Sequence, residues 1–367
     1  MSSISVNTIT DASGGATTSI NGFTPSVSNM AGRNRIINGA MTIDQRNAGA
    51  AVTASGSYAV DRFVTFNTTD GAFSSQQDSS APVGFVKSLK TTVTTSDSSL
   101  TTNQSLILFQ KVEGYNFADF GWGTANAKTV TLSFWVRSSL TGTFGGSLRN
   151  SGATRSYPFT YTITVADTWE QKSITVAGDT TGTWETDNGV GVIVYWGLGV
   201  GPDRSATAGA WASGGYFSAT GATSVVGTSG ATFYITGVQL EAGSVATPFC
   251  PAGGGSYGAE LALCQRYYFN YPSGGSAHYG IFLNAYTSTR GFANIFTPVY
   301  MRASPTITNT SSNIRGLSLT TIGATTSVSS YRHVGNALCL DVNIASGLSS
   351  GSAYLWQPID VEFSSEL

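Results

Sequence analysis

Tryptophan and acidic residues occur together in one segment of this sequence. Residues 183–189 read Thr-Trp-Glu-Thr-Asp-Asn-Gly, so Trp184 is followed closely by Glu185 and Asp187. A flat aromatic ring covers the apolar C–H patches of a sugar, while carboxylates accept hydrogen bonds from its hydroxyl groups. The segment lies between two predicted strands, where β-sandwiches carry their binding loops. This pattern predicts sugar contacts by six residues: Trp169, Trp184, Glu185, Asp187, Trp211 and Tyr216. The alternative is that these aromatic rings cap the hydrophobic core or pack at subunit contacts.

Histidine and cysteine give little indication of catalysis. The two histidines, His278 and His333, lie in no recognisable ligand or triad motif. The three cysteines, Cys250, Cys264 and Cys339, are odd in number and show no tight spacing. We therefore expect neither a zinc cluster nor a disulfide framework, and we interpret the cysteines as small buried side chains.

The acidic residues do not form an obvious hydrolytic pair. Glycoside hydrolases use two carboxyl groups about 5–9.5 Å apart, one of them with a raised pKa. Glu170, Glu185 and Asp187 lie closest to aromatic residues, but their spacing predicts no such pair. A repeat of 20–30 residues, typical of a long β-solenoid, is also missing from the sequence. We therefore expect a protein that is not an enzyme and keep a glycan depolymerase as the least favoured alternative.

The low charge of the chain excludes several classes of protein. Only 10% of the 367 residues are charged, and 18 basic and 20 acidic residues leave a net charge of −2. An average soluble domain has about 25% charged residues. We expect no nucleic-acid partner, because no basic patch is available to bind phosphates. No apolar run is long enough for a membrane helix, and the first ten residues do not resemble a signal peptide. The 41% of hydrophobic residues argues against disorder.

The hydrophobic pattern from residue 35 to residue 250 predicts strands. In residues 129–137, alternation places Phe134 on the apolar face and Trp135 on the opposite face. The most apolar segment contains Trp196, which we assign to the core. Further strands are predicted at residues 157–165, 169–176, 190–198 and 231–240. Many short strands separated by turn residues indicate a jelly-roll β-sandwich.

Three other segments complete an all-β prediction. Residues 1–34 alternate weakly and predict an extended arm for assembly or anchoring. Residues 251–256 are Pro- and Gly-rich and indicate a linker, and residues 259–268 predict a short helix. That helix has Leu261, Cys264 and Tyr268 on one face. A smaller β-rich domain is predicted over residues 256–367, with strands at 280–284, 293–299, 306–314 and 337–344.

Four motifs resemble a protein family. Residues 34–49 read Asn-Arg-Ile-Ile-Asn-Gly-Ala-Met-Thr-Ile-Asp-Gln-Arg-Asn-Ala-Gly, and residues 58–63 read Tyr-Ala-Val-Asp-Arg-Phe. Together they resemble the opening of a domain found in bacteriophage tail-fibre and other virion proteins. Residues 233–249 resemble the end of that domain, and residues 260–268 resemble the junction that follows it. Residues 4–14 are similar to leaders of fibre proteins of marine and cyanobacterial phages.

The same frame resembles carbohydrate-binding modules of the jelly-roll type. Their opening segment corresponds here to Asn38-Gly39-Ala40-Met41, and their closing strand corresponds to residues 236–240. In many such modules an acidic residue of the closing strand helps to hold a structural calcium, but residues 236–237 are Thr-Gly. Calcium prefers six to eight oxygen ligands, usually including carboxylates. We therefore expect no cofactor; a structural calcium is the alternative, with Asp44 and Glu241 as the nearest acids.

The resemblance implies a phage virion protein. We expect a tail-fibre or adhesin subunit that attaches to glycans of the host surface, forms a homotrimer and contacts other virion proteins through residues 1–34. It implies a place in the virion, in the tail rather than the head, without membrane insertion. A head-decoration or tail-connecting protein that binds no glycan is the main alternative.

Overall fold

Antiparallel strands form most of the molecule. The computed structural model describes residues 32–271, 281–309, 312–315, 321–358 and 361–367. The predicted arm lies outside these residues except for 32–34. The strands of the first domain are β1 (Ser57–Val60), β2 (Phe63–Asn67), β3 (Ala72–Asp78), β4 (Ser88–Thr95), β5 (Ser105–Glu113), β6 (Val130–Ser138), β7 (Gly142–Arg149), β8 (Arg155–Ile163), β9 (Glu170–Val176), β10 (Val190–Val200), β11 (Ser205–Ala206), β12 (Ala212–Ser213), β13 (Ser218–Ala219) and β14 (Thr232–Ala242). Short 3₁₀ helices lie at Gly114–Asn116, Ala118–Phe120 and Pro202–Arg204.

Two sheets pack face to face in this domain. The seven-stranded sheet has the order β1-β2-β5-β10-β7-β8-β12, and the five-stranded sheet has the order β3-β4-β14-β6-β9. Strand alternation turns Phe134 of β6 and Trp196 of β10 towards each other, with ring centroids 5.8 Å apart. Both side chains are fully buried in one continuous hydrophobic core. The fold thus confirms the predicted all-β class and its sandwich, and it places Trp196 in the core.

The second β-rich part follows one helix and contains a closed barrel. Its elements are α1 (Tyr257–Gln265), β15 (Tyr268–Tyr271), β16 (Ile281–Ala285), β17 (Arg290–Phe296), β18 (Thr306–Asn309), β19 (Ser312–Arg315), β20 (Thr321–Val334), β21 (Ala337–Ile344), β22 (Ala353–Pro358) and β23 (Val361–Ser364). The barrel has the order β16-β17-β21-β20-β19-β22, and a separate sheet has the order β15-β23-β18. Among the described residues, no helix combines the length and apolar character needed to cross a membrane.

The helix differs from its prediction at both ends. It begins earlier, at Tyr257, and Ser256 caps it by accepting a hydrogen bond from the Ala259 N–H. It ends at Gln265, and Tyr268 is the first residue of β15, paired with Ser364. The prediction that Tyr268 belongs to the helix is therefore wrong. Pairing with a strand almost one hundred residues away overrides the local helical pattern.

Two buried asparagines of the opening motif form hydrogen bonds with backbone groups of the sandwich. The Asn34 amide donates to the carbonyls of Val238 and Cys250, and its oxygen accepts from the Leu240 N–H. The Asn38 amide donates to the carbonyls of Ile43 and Asp61. Buried amides that satisfy several backbone groups fix the course of a segment without regular secondary structure. The motif residues therefore hold the opening segment against the closing strand, β14.

The predicted linker is also held in place. The Gly253 N–H donates to Glu260, and the other oxygen of this carboxylate accepts from the Asn38 N–H. A Cβ atom at Gly253 would lie 2.5 Å from the Glu260 nitrogen, so only glycine allows this approach. Burial raises the pKa of Glu260, although both backbone hydrogen bonds lower it. Residues 251–256 thus connect the helix to the opening motif rather than acting as a free spacer.

A buried network of charged residues joins the sandwich to the second part of the chain. Arg46 pairs with Asp61 at 3.3 Å and with Glu366 at 2.8 Å, and Arg62 pairs with the same Glu366. The guanidinium of Arg62 also lies over the Tyr267 ring, 3.5 Å from its centroid. We name these residues, together with Glu113, Arg266 and Tyr268, the junction network. Its members come from the opening motif, from β5, from the segment that follows α1 and from the segment that follows β23.

Asp61 is expected to make stability depend on pH. Burial raises the pKa of Asp61 to about 6, although Arg46 and Gln45 lower it. A carboxyl group with a raised pKa in the folded state stabilises the fold below its unfolded pKa, near 4, and loses this contribution as the pH rises through about 6. Across this window we expect the contribution of Asp61 to the free energy of unfolding to fall by about 3 kcal/mol.

Urea unfolding of the Asp61→Asn variant at pH 4.5 and pH 6.5 measures this effect. Relative to the unchanged protein, the variant should become more stable as the pH rises, because asparagine does not ionise. Asp70→Asn, at an exposed position, is measured beside it as a control for the loss of one aspartate. Equal pH dependence of the Asp61→Asn variant and the unchanged protein would contradict the role of Asp61.

Candidate functional site

The outer face of the five-stranded sheet carries aromatic and polar side chains in register. Tyr234 of β14 pairs with Lys90 of β4 on one side and with Arg137 of β6 on the other. In the adjacent row, Trp135 of β6 pairs with Gln171 of β9. Alternation along these strands turns the neighbouring residues inward to the core, so these five side chains share the outward side.

Trp169 adds a third aromatic ring to the outward side of this sheet. It lies just before β9, and its ring centroid is 6.1 Å from that of Tyr234 at an angle of 70°. Trp135 and Trp169 are half-buried, so part of each ring faces solvent. We name Trp135, Trp169, Tyr234, Lys90, Arg137 and Gln171 the outer aromatic face.

Two cations flank the central ring of this face. The Lys90 ammonium lies 5.4 Å and the Arg137 guanidinium carbon 5.0 Å from the Tyr234 ring centroid. Lys90 has Asp78 at 3.9 Å, and Arg137 has Asp167 at 3.4 Å and the Ser80 hydroxyl at 3.0 Å. A distance of 3.9 Å is beyond a hydrogen bond, so the Lys90 ammonium retains donors for a ligand.

One glycine shapes the end of this face. Gly237 has a φ of +61° and lies at an irregularity of the β14–β6 pairing. A Cβ atom here would lie 2.6 Å from the Phe85 ring and 3.0 Å from the Trp135 ring. The absence of a side chain therefore lets Phe85 approach the sheet beside Trp135, which lengthens the aromatic surface.

The structure separates the six residues predicted to contact sugar. Only Trp169 belongs to the outer aromatic face. Trp184 and Trp211 meet at a distance of 5.5 Å between ring centroids, but both pack against Trp122, at 4.8 and 5.0 Å. Trp184 is 7% exposed and belongs to the core, and its indole N–H donates to the Thr181 carbonyl. This packing corresponds to the alternative in which strand-end aromatics cap the core.

The other three predicted residues lie in loops between strands. Glu185 accepts from the Ser151 hydroxyl at 2.8 Å, and Asp187 accepts from the Gly189 N–H at 2.8 Å. The Tyr216 N–H donates to the Ser156 hydroxyl. Sugar binding by these six residues stays a prediction.

The sequence contained a signal for part of the outer aromatic face. Alternation in residues 129–137 places Trp135 and Arg137 opposite Phe134, and this outward position was predicted for Trp135. The proximity of Tyr234 and Lys90 could not be predicted from the sequence, because it depends on which strands become neighbours.

The acids nearest to the possible calcium position are engaged by protein donors. Asp44 accepts from the backbone N–H groups of Asn47 and Gly49. Glu241 accepts from the Gln239 amide and from the hydroxyl and N–H of Thr247. In the described ranges, no three histidine, cysteine, aspartate or glutamate residues come close enough to hold a metal ion.

No protein-family model and no curated protein matches the chain. Solved structures with a similar arrangement include the enzymatically active domain of tailspike protein 4 from bacteriophage CBA120, at 12% identity and a TM-score of 0.31. That match covers 57% of this chain and 21% of the tailspike chain. A family 11 carbohydrate-binding module from Clostridium thermocellum, solved with a β-1,3-1,4-mixed-linked tetrasaccharide, is 11% identical with a TM-score of 0.28, covering 55% of this chain and all of the module. TmCBM61, solved with β-1,4-galactotriose, gives 11% identity, a TM-score of 0.28, and coverage of 57% and 99%. At these identities and scores, the similarities assign no function to the chain.

Proposed function

We propose that this protein is a glycan-binding subunit of a phage virion, a tail fibre or adhesin that attaches to the host surface. The observation that carries the glycan-binding part is the outer aromatic face. Partly exposed rings of Trp135 and Trp169 lie beside Lys90 and Gln171, which have donors to spare. This combination suits a sugar, whose ring presents apolar C–H patches edged by hydroxyl groups.

The virion part of the proposal is supported by the sequence motifs. The opening and junction motifs that resemble phage fibre proteins supply the buried contacts of Asn34, Asn38, Arg46 and Arg62. In this chain the contacts of Arg46 and Arg62 with Glu366 join the two β-rich parts. The same resemblance supports a homotrimer that contacts other virion proteins through residues 1–34, in the tail rather than the head. Linked copies would raise the avidity of weak sites by about 10²–10⁴.

We propose binding without cleavage. Burial raises the pKa of Glu170. Hydrogen bonds from Lys172, Val165 and Thr164 lower it by more, so that the pKa falls to about 2. A carboxyl group with such a pKa does not hold a proton for a leaving group near neutral pH. Glu170, one of the acids closest to the predicted aromatic residues, is therefore a poor general acid.

A glycan array with the full chain tests the proposal. The array carries neutral and acidic bacterial surface polysaccharides, and bound protein and released reducing ends are measured on the same samples. We expect binding without release of reducing ends. The double variant Trp135→Ala/Trp169→Ala should bind at least about tenfold more weakly, because truncation of a contact aromatic typically costs more than 1 kcal/mol.

Tyr115→Ala is the matched control, since Tyr115 is 64% exposed and lies outside the outer aromatic face. This variant should bind like the unchanged protein. Failure of the intact protein to bind any glycan would favour a purely structural virion protein, and release of reducing ends would favour a depolymerase. Equal affinity of the double variant would remove the outer aromatic face from the proposal.

A further inference from the structure

A hydrophobic cluster that is mainly aromatic lies on the outer side of the seven-stranded sheet. It contains Ile193 and Tyr195 of β10, Phe109 of β5, and Phe217 from the segment between β12 and β13. The Tyr195 ring centroid lies 5.4 Å from that of Phe109 and 5.0 Å from that of Phe217. This cluster and the outer aromatic face belong to different sheets of the sandwich.

Two arginines lie against the rings of this cluster. The Arg149 guanidinium carbon is 4.9 Å from the Tyr195 centroid and 5.1 Å from the Phe217 centroid. The Arg204 guanidinium carbon is 5.6 Å from the same Phe217 centroid. Two cations thus lie against one aromatic ring.

These arginines are exceptional within the described part of the chain, because neither guanidinium has a carboxylate or hydrogen-bond acceptor in range. The Nε atom of Arg149 is buried without a partner. Every other arginine with a described side chain donates to a carboxylate or a backbone carbonyl. These paired residues are Arg33, Arg35, Arg46, Arg62, Arg137, Arg155, Arg266, Arg290 and Arg302.

The backbone holds both arginines in position. Arg149 is the last residue of β7 and pairs with Ile193, which pairs with Lys111 on its other side. Arg204 ends the 3₁₀ helix Pro202–Arg204, and its carbonyl accepts from the Phe217 N–H at 2.8 Å. The backbone that carries both side chains is therefore already ordered, which lowers the cost of binding.

We propose that Arg149 and Arg204, both against the Phe217 ring, bind the carboxylate of an acidic sugar residue. Guanidinium groups match the planar geometry of a carboxylate and can donate two parallel hydrogen bonds to it. A partly buried cation without a counter-ion is costly, and an incoming anion relieves this cost. Burial lowers the pKa of Arg149 and the nearby Arg204 adds to this effect, although Tyr195 raises the pKa.

The surroundings favour a sugar over an acidic protein segment. Hydroxyl groups of Ser205 and Thr220, 3.4 Å apart, lie on the strand after Arg204 and just after β13. Hydroxyls beside the partly exposed Phe217 ring suit a sugar unit. A stable protein contact would instead require about 800 Å² on each partner with a more apolar centre.

Titration of the full chain with trigalacturonate and with the corresponding neutral galactotriose tests this site. We expect the acidic trisaccharide to bind at least tenfold more tightly and to weaken with salt. Arg204→Gln and Arg149→Gln should each abolish most of this preference. Arg35→Gln, which removes the same charge elsewhere, should leave it unchanged, as should Trp135→Ala/Trp169→Ala on the other sheet.

Several results would overturn the proposal. Equal affinity for the acidic and neutral trisaccharides would do so, as would an unchanged preference in Arg204→Gln. Because Arg149 is partly buried, Arg204→Gln provides the decisive variant if Arg149→Gln does not fold. Equally tight binding of a glutamate hexapeptide would point to a protein partner, and equally tight binding of inorganic phosphate would reduce the site to a general anion site. If the unchanged protein binds trigalacturonate but no neutral glycan, only the function proposed for the outer aromatic face is contradicted.

Discussion

Replacement of Glu113 by alanine is expected to lower the free energy of unfolding by about 3 kcal/mol, because it leaves the Arg266 guanidinium and the buried Tyr267 hydroxyl without the carboxylate that pairs with both. The Glu113 side chain is completely buried. Its carboxylate accepts from the Nη2 and Nε atoms of Arg266 at 2.6 and 3.0 Å and from the Tyr267 hydroxyl at 2.5 Å. Hydrogen bonds to a charged group are among the strongest in proteins. Their loss removes the acceptor that holds the segment after α1 to β5.

Urea unfolding followed by tryptophan fluorescence measures this loss. Glu113→Gln keeps the shape of the side chain and should be destabilising to a smaller extent. Glu185→Ala is the control, since Glu185 is exposed and accepts from Ser151 only, and its effect should stay within about 0.5 kcal/mol. A loss below 1 kcal/mol for Glu113→Ala would show that the junction network contributes little to stability.

Trp184→Ala is expected to destabilise the sandwich by about 3–5 kcal/mol, the usual range for removal of a buried tryptophan. The ring packs against Phe117 at 5.6 Å and against Trp122 and Trp211 at 4.8 and 5.5 Å between centroids. The Gly123 backbone also approaches the ring closely, since a Cβ atom on Gly123 would lie 3.2 Å from Trp184 Cδ1. The removed indole therefore leaves a cavity.

The matched comparison is Trp169→Ala, where the ring is half-buried and has one aromatic neighbour, Tyr234. Its effect on stability should be less than half that of Trp184→Ala. Thermal unfolding of both variants, measured beside glycan binding, separates packing from recognition. A fully stable Trp184→Ala variant with lost binding would restore Trp184 as a ligand-contact residue.

The fold class was predictable because strand alternation reports directly on burial. Phe134 and Trp196 follow the pattern and lie in the core as expected. The last turn of the helix was not predictable, because Tyr268 exchanges its local pattern for pairing with Ser364. A long-range strand partner leaves no trace in a short window of sequence.

The candidate site was less predictable for a related reason. Trp184 lies in a loop rich in polar residues, and these neighbours indicate exposure although three aromatic rings enclose the indole. Tyr234 and Lys90 are more than 140 positions apart and meet only because β14 pairs with β4. Sequence spacing identifies which face a side chain occupies, whereas sheet order determines its neighbours.

The sheet β15-β23-β18 has a mechanical consequence. The chain leaves this sheet after β15 for the first barrel strands, returns to it in β18, enters the barrel again and comes back in β23. Tension applied to the barrel is therefore divided among three hydrogen-bonded strands. Arg302, just before β18, donates hydrogen bonds to the carbonyls of Ser365 and Glu366, just after β23. A pull that would extend a single linker must here shear a sheet, so the barrel can bear load while the sandwich stays attached.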